Sequence, residues 1–519
     1  MYALARTTAK VSRVGTPALR YRFALLQHVQ GFKTNIFEKK TIKMADTEED
    51  VVVGGRDKFH LLPKAFEGVK QIGVIGWSSQ GPAQAQNLRE SLEGSGIKVT
   101  VGLREGSSSM AKAEEKGFTK ADGTLGDMWS VIKSSDMVLL LISDAAQAEI
   151  YPEVFKSLKP GATLGLSHGF LLGVLGNDKA DFPKGVDVVA VCPKGMGPSV
   201  RRLYELGRTV NGSGINASFA VHQDATGKAT ERALAWATAI GSPYVFPTTL
   251  EMEYKSDIFG ERCSLLGGMH GIVEFLFRLY RAQGATDHDA FSRACESITG
   301  PITQHCSKTG LISVYEGLNA ADKKLFEIAY SAAYHPLMEV IMECYEDVAS
   351  GREIGSVIDH SARFNRYPMA KIDNTHTWKV GEEVRAKRSD ANPVKMDPTT
   401  AGVYLACMTA QADLLFERGH CYSEVVNESI IEGVDSLNPY LHHKGVAFMI
   451  DNCSVTARLG ARKWAPRFDY LLEQQAGPKI LEGAAPDPKL IDAFKNNKLH
   501  KIMEVCGSMR PPVDISLVA

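Results

Sequence analysis

Two carboxylate pairs carry the main chemical signal in this sequence. Asp257 and Glu261 lie four residues apart in YKSDIFGER, and Glu424 and Glu428 lie four apart in YSEVVNES, far along the second half of the chain. A spacing of four puts both members of a pair on one helix face. Two such faces brought together would present four hard oxygen donors, the ligand chemistry that Mg²⁺ prefers. Glu253, one turn before Asp257, extends the first acid row beside Lys255 and Arg262. Either pair alone also reads as an ordinary solvated face. In the second helix Val426, Ile430, Val434 and Leu437 form an apolar stripe, with Glu424, Glu428 and Asp435 opposite. The charge density argues for more, because carboxylates gather at a cost unless a cation or a catalytic role offsets it.

The elements that must position these acids fall into two kinds. From residue 70 the chain runs in short β-branched segments at 71–76, 97–103, 137–143, 162–167 and 186–192, separated by helical stretches that stop at glycine. Repeated βα units of this kind predict a doubly wound α/β Rossmann-type sheet. Runs at 218–222 and 242–246 are expected to complete it. After about residue 249 long amphipathic segments predict an all-α C-terminal region. Within it, ACESITG at 294–300 is echoed by VNESIIEG at 426–433, which suggests a duplication. The expected division is presequence and linker over 1–50, dinucleotide-binding domain over 51–248, and two helical copies over 249–392 and 393–519.

In an open parallel sheet, ligands bind beyond the carboxyl ends of the strands. After the first strand comes GWSSQG, in which Gly76, Ser79, Gln80 and Gly81 open a helix whose N–H groups can hold a pyrophosphate. Ser78 stands where a fingerprint glycine is usual. After the second strand, Arg104, Ser107 and Ser109 occupy the ribose-reading position, where they can grip a 2′-phosphate and favour NADPH over NADH. The third strand delivers Ser143 and Asp144, with Gln147 one turn on. The fourth and fifth deliver His168 and Lys194, which are suited to acid, base or carbonyl-polarising work beside a cofactor.

Bulk properties narrow the class. With 23% charged residues and a formal net charge of -1, nothing points to a nucleic-acid surface, and no apolar run approaches the ~20 residues of a membrane span. Nine scattered cysteines without CxxC spacing suit a reducing compartment. The first 37 residues lack Asp and Glu but hold Arg6, Lys10, Arg13, Arg20, Arg22 and Lys33, as in an organelle presequence. The single serine, Ser12, tilts the address toward the mitochondrion rather than the plastid. Lys39 to Asp50 reads as linker.

The motifs GWSSQGPAQAQNLRESL, LREGSSS, LGLSHGFLLG, VAVCPKGMGPSVRRLY, EYKSDIFGER, DNCSVTARLG and RKWAPRFDY together resemble ketol-acid reductoisomerase (acetohydroxy acid isomeroreductase) in its long, plant-like form, from about Asp57 onward. The resemblance implies a knotted, duplicated helical region, NADPH and two Mg²⁺ as cofactors, and acetohydroxy acids as small-molecule partners. It implies alkyl migration in 2-acetolactate or 2-aceto-2-hydroxybutanoate, then reduction to the 2,3-dihydroxy acid, in valine, leucine and isoleucine biosynthesis. Carried over by motif, Asp257 resembles the carboxylate bridging both ions, Glu261 a ligand of one, and Glu424 and Glu428 the completion of the other side. Ser454 resembles the substrate-carboxylate contact, and His168, Lys194 and Glu253 the polar lining of the reaction site. A homodimer or homotetramer is implied as well. Apart from the resemblance, the rival reading is a metal-free hydroxyacid dehydrogenase, which EDTA would separate.

Overall fold

The computed structural model describes residues 31–364, 366–389 and 393–511. The presequence reading therefore lies almost wholly outside the described residues. One ten-stranded sheet dominates the first half, built from β1 (Glu38–Met44), β2 (Thr47–Val53), β3 (Gln71–Ile75), β4 (Lys98–Leu103), β5 (Leu125–Asp127), β6 (Met137–Leu140), β7 (Thr163–Leu166), β8 (Asp187–Pro193), β9 (Ala217–Gln223) and β10 (Tyr244–Pro247). Its order is β1-β2-β10-β9-β8-β7-β6-β3-β4-β5. From β5 to β8 neighbouring strands are parallel. β9 then runs antiparallel to β8, and β2 antiparallel to β10. The chain winds outward from β3 through β4 to β5, then crosses back to β6 on the other side of β3. That reversal opens a crevice at the carboxyl ends of β3 and β6, where GWSSQG and ISDAAQ sit.

The all-apolar strand sequences are explained by burial on both sheet faces. Along β8, Val188 and Ala190 pack on one side and Val189 and Val191 on the other, following the two-residue side-chain period. The face holding Ile72, Val74, Val99 and Val101 is covered by helices carrying Leu88 and Trp236. The opposite face, with Val138, Leu164, Val188 and Ala190, shares one continuous core with the helical half. The acid-bearing helices are thereby clamped against the sheet.

Lys39 to Asp50 is not linker. β1 and β2 form a hairpin whose β2 joins the edge of the sheet beside β10, with Val52 opposite Val245. The acidic run that suggested a linker alternates instead: Glu49 points inward and is buried, while Glu48 is exposed.

In the helical half, Gly267–Ala282 packs against Val455–Leu471, and Pro398–Glu417 packs against the 30-residue helix Ala320–Ala349. Paired π-helical turns occur at Ser292–Glu296 and Ile298–Ile302, and recur at Asn427–Ile431 and Gly433–Leu437. π-turns are uncommon, and they gather at functional sites. Among the described residues no helix is long and apolar enough to cross a membrane.

Candidate active site

The helix Leu250–Arg262 follows directly on β10, capped by Thr249 Oγ1, which accepts from the Met252 N–H at 3.0 Å. It runs so close to the β7 end that a Cβ on Gly169 would lie 2.4 Å from the Leu250 carbonyl oxygen. Glycine permits that approach. Here the Gly169 N–H donates to Glu253 Oε2 at 2.6 Å. The same helix turns Asp257 toward His168, with Nδ1 to Oδ2 at 3.0 Å, and Glu253 Oε2 lies 3.6 Å from that nitrogen. One ligand atom from each of His168, Glu253 and Asp257 thus falls within 4.8 Å of the others.

Lys194, on the loop after β8, is 3% exposed and lies 2.5 Å from Glu428 Oε2 and 3.8 Å from Glu253 Oε1. Glu428 comes from the segment Tyr422–Leu437, which reaches the carboxyl end of β8 and the amino end of β9 through polar contacts. Asn216 Nδ2 reaches Asn427 Oδ1 at 3.5 Å, and Ser436 Oγ donates to Ser199 Oγ at 2.8 Å. Sequence reasoning placed His168, Lys194, Glu253, Asp257 and Glu428 together, and the structure does bring them together.

Glu424 is tied to the first acid helix by a hydrogen bond. Its Oε2 accepts from Thr248 Oγ1 at 2.9 Å and its Oε1 from Ser256 Oγ at 3.0 Å, with His420 3.9 Å away. It is buried, one residue from Asp257 through Ser256 and within reach of the Lys194 charge. Glu432 lines the cleft beside Asp257, Glu261 and Ser454. π-helical turns at Asn427–Ile431 and Gly433–Leu437 change the helical phase along this acid row. The solvated-face reading fails, since Glu424 and Glu428 are both buried.

An open cleft runs along the carboxyl ends of β3, β6 and β7 to the acid-bearing helices. Ser78, Ser79, Gln80, Ser143, Asp144 and Gln147 line one end, and Asp257, Glu261, Glu432, Ser454 and Arg458 the other. Gly76 has φ 111, and a Cβ there would meet the Leu141 carbonyl oxygen at 2.5 Å. Gly81 faces the Gly76 carbonyl oxygen as closely, so both glycines are needed for the turn. Gln80 Nε2 donates to the Gly195 carbonyl at 2.9 Å, tying the first strand end to the fifth. Arg104, Ser107 and Ser109 lie on the loop after β4, with Arg104 exposed and outside the cleft lining. Thr456 Oγ1 donates to Asp144, which joins the Ser454 segment to the β6 end. Arg458 and Glu432 were not singled out by sequence reasoning. Arg458, four residues after Ser454, carried the spacing signal that could have found it.

Crowding of charge shifts the ionisation of these groups. Burial pushes Glu428 up to about 8, against the pull of Lys194 and with the help of Asp257. Burial and the neighbouring Asp257 raise Glu261 well above the carboxylate range, and burial with Glu428 does the same to Glu432. For His168 burial favours the neutral ring, but Asp257 and Asp144 overrule it and raise the ring well above its ordinary value. Lys194 is likewise raised by Glu428 and Glu253 in spite of burial. Both Glu428 oxygens, Glu253 Oε1, Lys194 Nζ and His168 Nδ1 are buried without an aligned hydrogen bond. Buried polar atoms left this way are costly. An oxygen-rich group of acids with orphaned oxygens fits a hard divalent cation.

A twisted, mostly parallel sheet with a glycine-bearing turn at its switch point, followed by helices that close the cleft, defines a dinucleotide-dependent oxidoreductase. Two family models match: "Acetohydroxy acid isomeroreductase, NADPH-binding domain" over residues 67–244 and "Ketol-acid reductoisomerase, C-terminal domain" over 250–390. The chain belongs to the ketol-acid reductoisomerase family, NADPH-dependent oxidoreductases of branched-chain amino acid biosynthesis. It is 56% identical to "Ketol-acid reductoisomerase, chloroplastic" of Pisum sativum, over 94% of this chain and 85% of that one. The protein of the same name from Spinacia oleracea is 55% identical over 94% of this chain and 83% of its own. Among solved structures, an NADH-preferring ketol-acid reductoisomerase from an uncultured archean superposes with a TM-score of 0.55 at 26% identity. It covers 65% of this chain and 99% of that one. The mitochondrial expectation is corrected by these relatives, because the two at 55–56% identity carry chloroplastic names. A presequence poor in acids and rich in Arg serves both organelles, so one serine count could not separate them.

Proposed function

We propose that this chain converts 2-acetolactate or 2-aceto-2-hydroxybutanoate to the 2,3-dihydroxy acid in a Mg²⁺-dependent reaction, in a plastid. The observation that carries the reading is the gathering of buried acids beside a dinucleotide crevice: Asp257 and Glu261 on the cleft lining, Glu428 against Asp257 and Lys194, and Glu424 bonded to Ser256. Asp257, Glu261, Glu424 and Glu428 are the proposed holders of two Mg²⁺ ions, with Glu432 lining the cleft beside them. When bound, the ions would act as Lewis acids on the substrate's hydroxyl and keto oxygens.

The chain's own residues supply the remainder. In the first half-reaction the C2 hydroxyl loses its proton, the alkyl group moves with its electron pair from C2 to C3, and the C3 oxygen gains a proton. Glu253 and Lys194 are positioned to take and return that proton, with His168 holding Asp257 in place. In the second, hydride from NADPH reaches C2 and its oxygen takes a proton. Ser454, with the Arg458 guanidinium beside it, is the proposed anchor of the substrate carboxylate. Gly76, Ser79, Gln80, Gly81, Ser143, Asp144 and Gln147 form the proposed crevice for the dinucleotide, and Arg104, Ser107 and Ser109 the 2′-phosphate contact. The recurring π-turns and the crossed helix pairing support reading 249–392 and 393–519 as two copies of one helical unit.

The test is NADPH oxidation with 2-acetolactate. It should require Mg²⁺, stop with EDTA and resume on adding Mg²⁺ back. Full activity in EDTA would refute the metal-dependent reading and favour a metal-free hydroxyacid dehydrogenase.

A further inference from the structure

The residues before the dinucleotide-binding domain also reach the site. Glu49, on β2, is 1% exposed and accepts from two backbone donors of the distant acid-bearing segment, the Tyr422 N–H at 2.5 Å and the Ser423 N–H at 3.0 Å. These are the first two residues of the helix Tyr422–Val426, whose N-cap position holds Cys421. A thiol is a weak acceptor. Helix N-termini leave such N–H groups without intrahelical partners, and a carboxylate there answers both the donors and the positive end of the dipole. β2 itself is anchored by pairing on both sides, to β1 and to β10. The helix that follows β10 carries Glu253 and Asp257.

We propose that Glu49 is a positioning residue for the metal-binding acids. Its carboxylate pins the first turn of the segment that delivers Glu424 and Glu428. At a rise of ~1.5 Å per residue Glu428 lies about 9 Å along the axis from Tyr422, near enough for a slip of the first turn to pass straight to it. Two residues on, Glu424 is held as well, by Thr248, the residue after β10, and by Ser256, on the helix that carries Glu253 and Asp257. β2, the end of β10 and the helix after it thus set the axial and rotational register of Glu424 and Glu428 against Asp257 and Glu261. The edge hairpin is thereby part of the active-site scaffold.

This inference rests on the proposed metal role of Glu424 and Glu428. The experiment is Mg²⁺ binding by calorimetry, with NADPH affinity and thermal midpoint measured alongside, on the parent chain and on Glu49→Ala, Glu49→Gln and Glu428→Gln. Glu428→Gln must weaken Mg²⁺ binding, or the metal reading itself fails. Given that, Glu49→Ala should raise the Mg²⁺ Kd about tenfold and leave the NADPH Kd within twofold. Glu49→Gln, keeping one carbonyl oxygen for one of the two N–H groups, should fall between. A folded Glu49→Ala with parental Mg²⁺ affinity, even at a lower thermal midpoint, would show a merely structural cap and overturn the proposal. Should the alanine variant not fold, Glu49→Gln is read by the same criterion.

Discussion

Lys194 Nζ lies 2.5 Å from Glu428 Oε2 and 3.8 Å from Glu253 Oε1, so one buried ammonium bridges acids that come from opposite halves of the chain. An ion group of this kind is strongly coupled, because loss of one partner strands the others in a low-dielectric interior at a cost of about 3–5 kcal/mol. Glu253 is fully buried and shares the Gly169 N–H, which suits it to passing a proton rather than to carrying solvent-exposed charge.

Glu253→Gln is therefore expected to slow conversion of 2-acetolactate more than reduction of an already rearranged 2-keto acid, by about ten- to a hundredfold. Steady-state kinetics on both substrates measures the ratio. Equal losses in the two assays would remove Glu253 from the isomerisation step.

Glu424→Gln and Glu428→Gln should each weaken Mg²⁺ binding about tenfold or more, while Glu432→Gln, which changes a residue of the cleft lining, should weaken it less. Glu424→Gln should also lower the thermal midpoint, because the amide cannot accept from both Thr248 and Ser256 while His420 lies against it. Metal titrations of the three variants decide between them. Parental affinity in Glu424→Gln with a large loss in Glu432→Gln would make Glu432 the ligand instead.

Gly169→Ala would force a methyl group to within 2.4 Å of the Leu250 carbonyl and 2.8 Å of Tyr254 Cβ. Backbone has to move, and the helix carrying Glu253 and Asp257 moves with it. Denaturant unfolding should show a loss of about 1–3 kcal/mol. kcat should fall at least tenfold, while NADPH affinity, proposed to be set at the β3 and β6 ends, stays close to parental.

His442 gives a test of pH dependence away from the cleft. Burial lowers its pKa to about 3, helped by the charges of Arg388, His443 and Arg385, while Glu296 sits 3.9 Å away and Thr299 Oγ1 lies 2.8 Å from Nδ1. A group depressed in the folded state adds stability above its unfolded value near 6.5, and that stability drains as pH falls toward 3. The thermal midpoint of the parent should drop across this window. His442→Asn, which offers Thr299 an amide and takes up no proton, should flatten the drop. An unchanged slope would assign the acid lability to other groups.

The local pattern already specified much of this protein. The period of the strand runs, the glycines of GWSSQG and the residues at the strand ends follow from side-chain alternation and turn chemistry, which act over a few neighbours. Hence β3, β4, β6, β7 and β8, with His168 and Lys194 at their ends, were legible. So was the i, i+4 row Glu253, Asp257 and Glu261, because the helix Leu250–Arg262 is regular throughout. In the second acid row the sequence pattern left Glu432 unmarked, although it lines the cleft. Two π-turns change the helical phase there. The hairpin at 38–53 was missed because its acidic run resembles a linker. Glu49 becomes a buried cap only when Tyr422, hundreds of residues away, arrives beside it. Spacing along the chain therefore determined which acids could share a face, and tertiary packing alone decided which of them face the cleft.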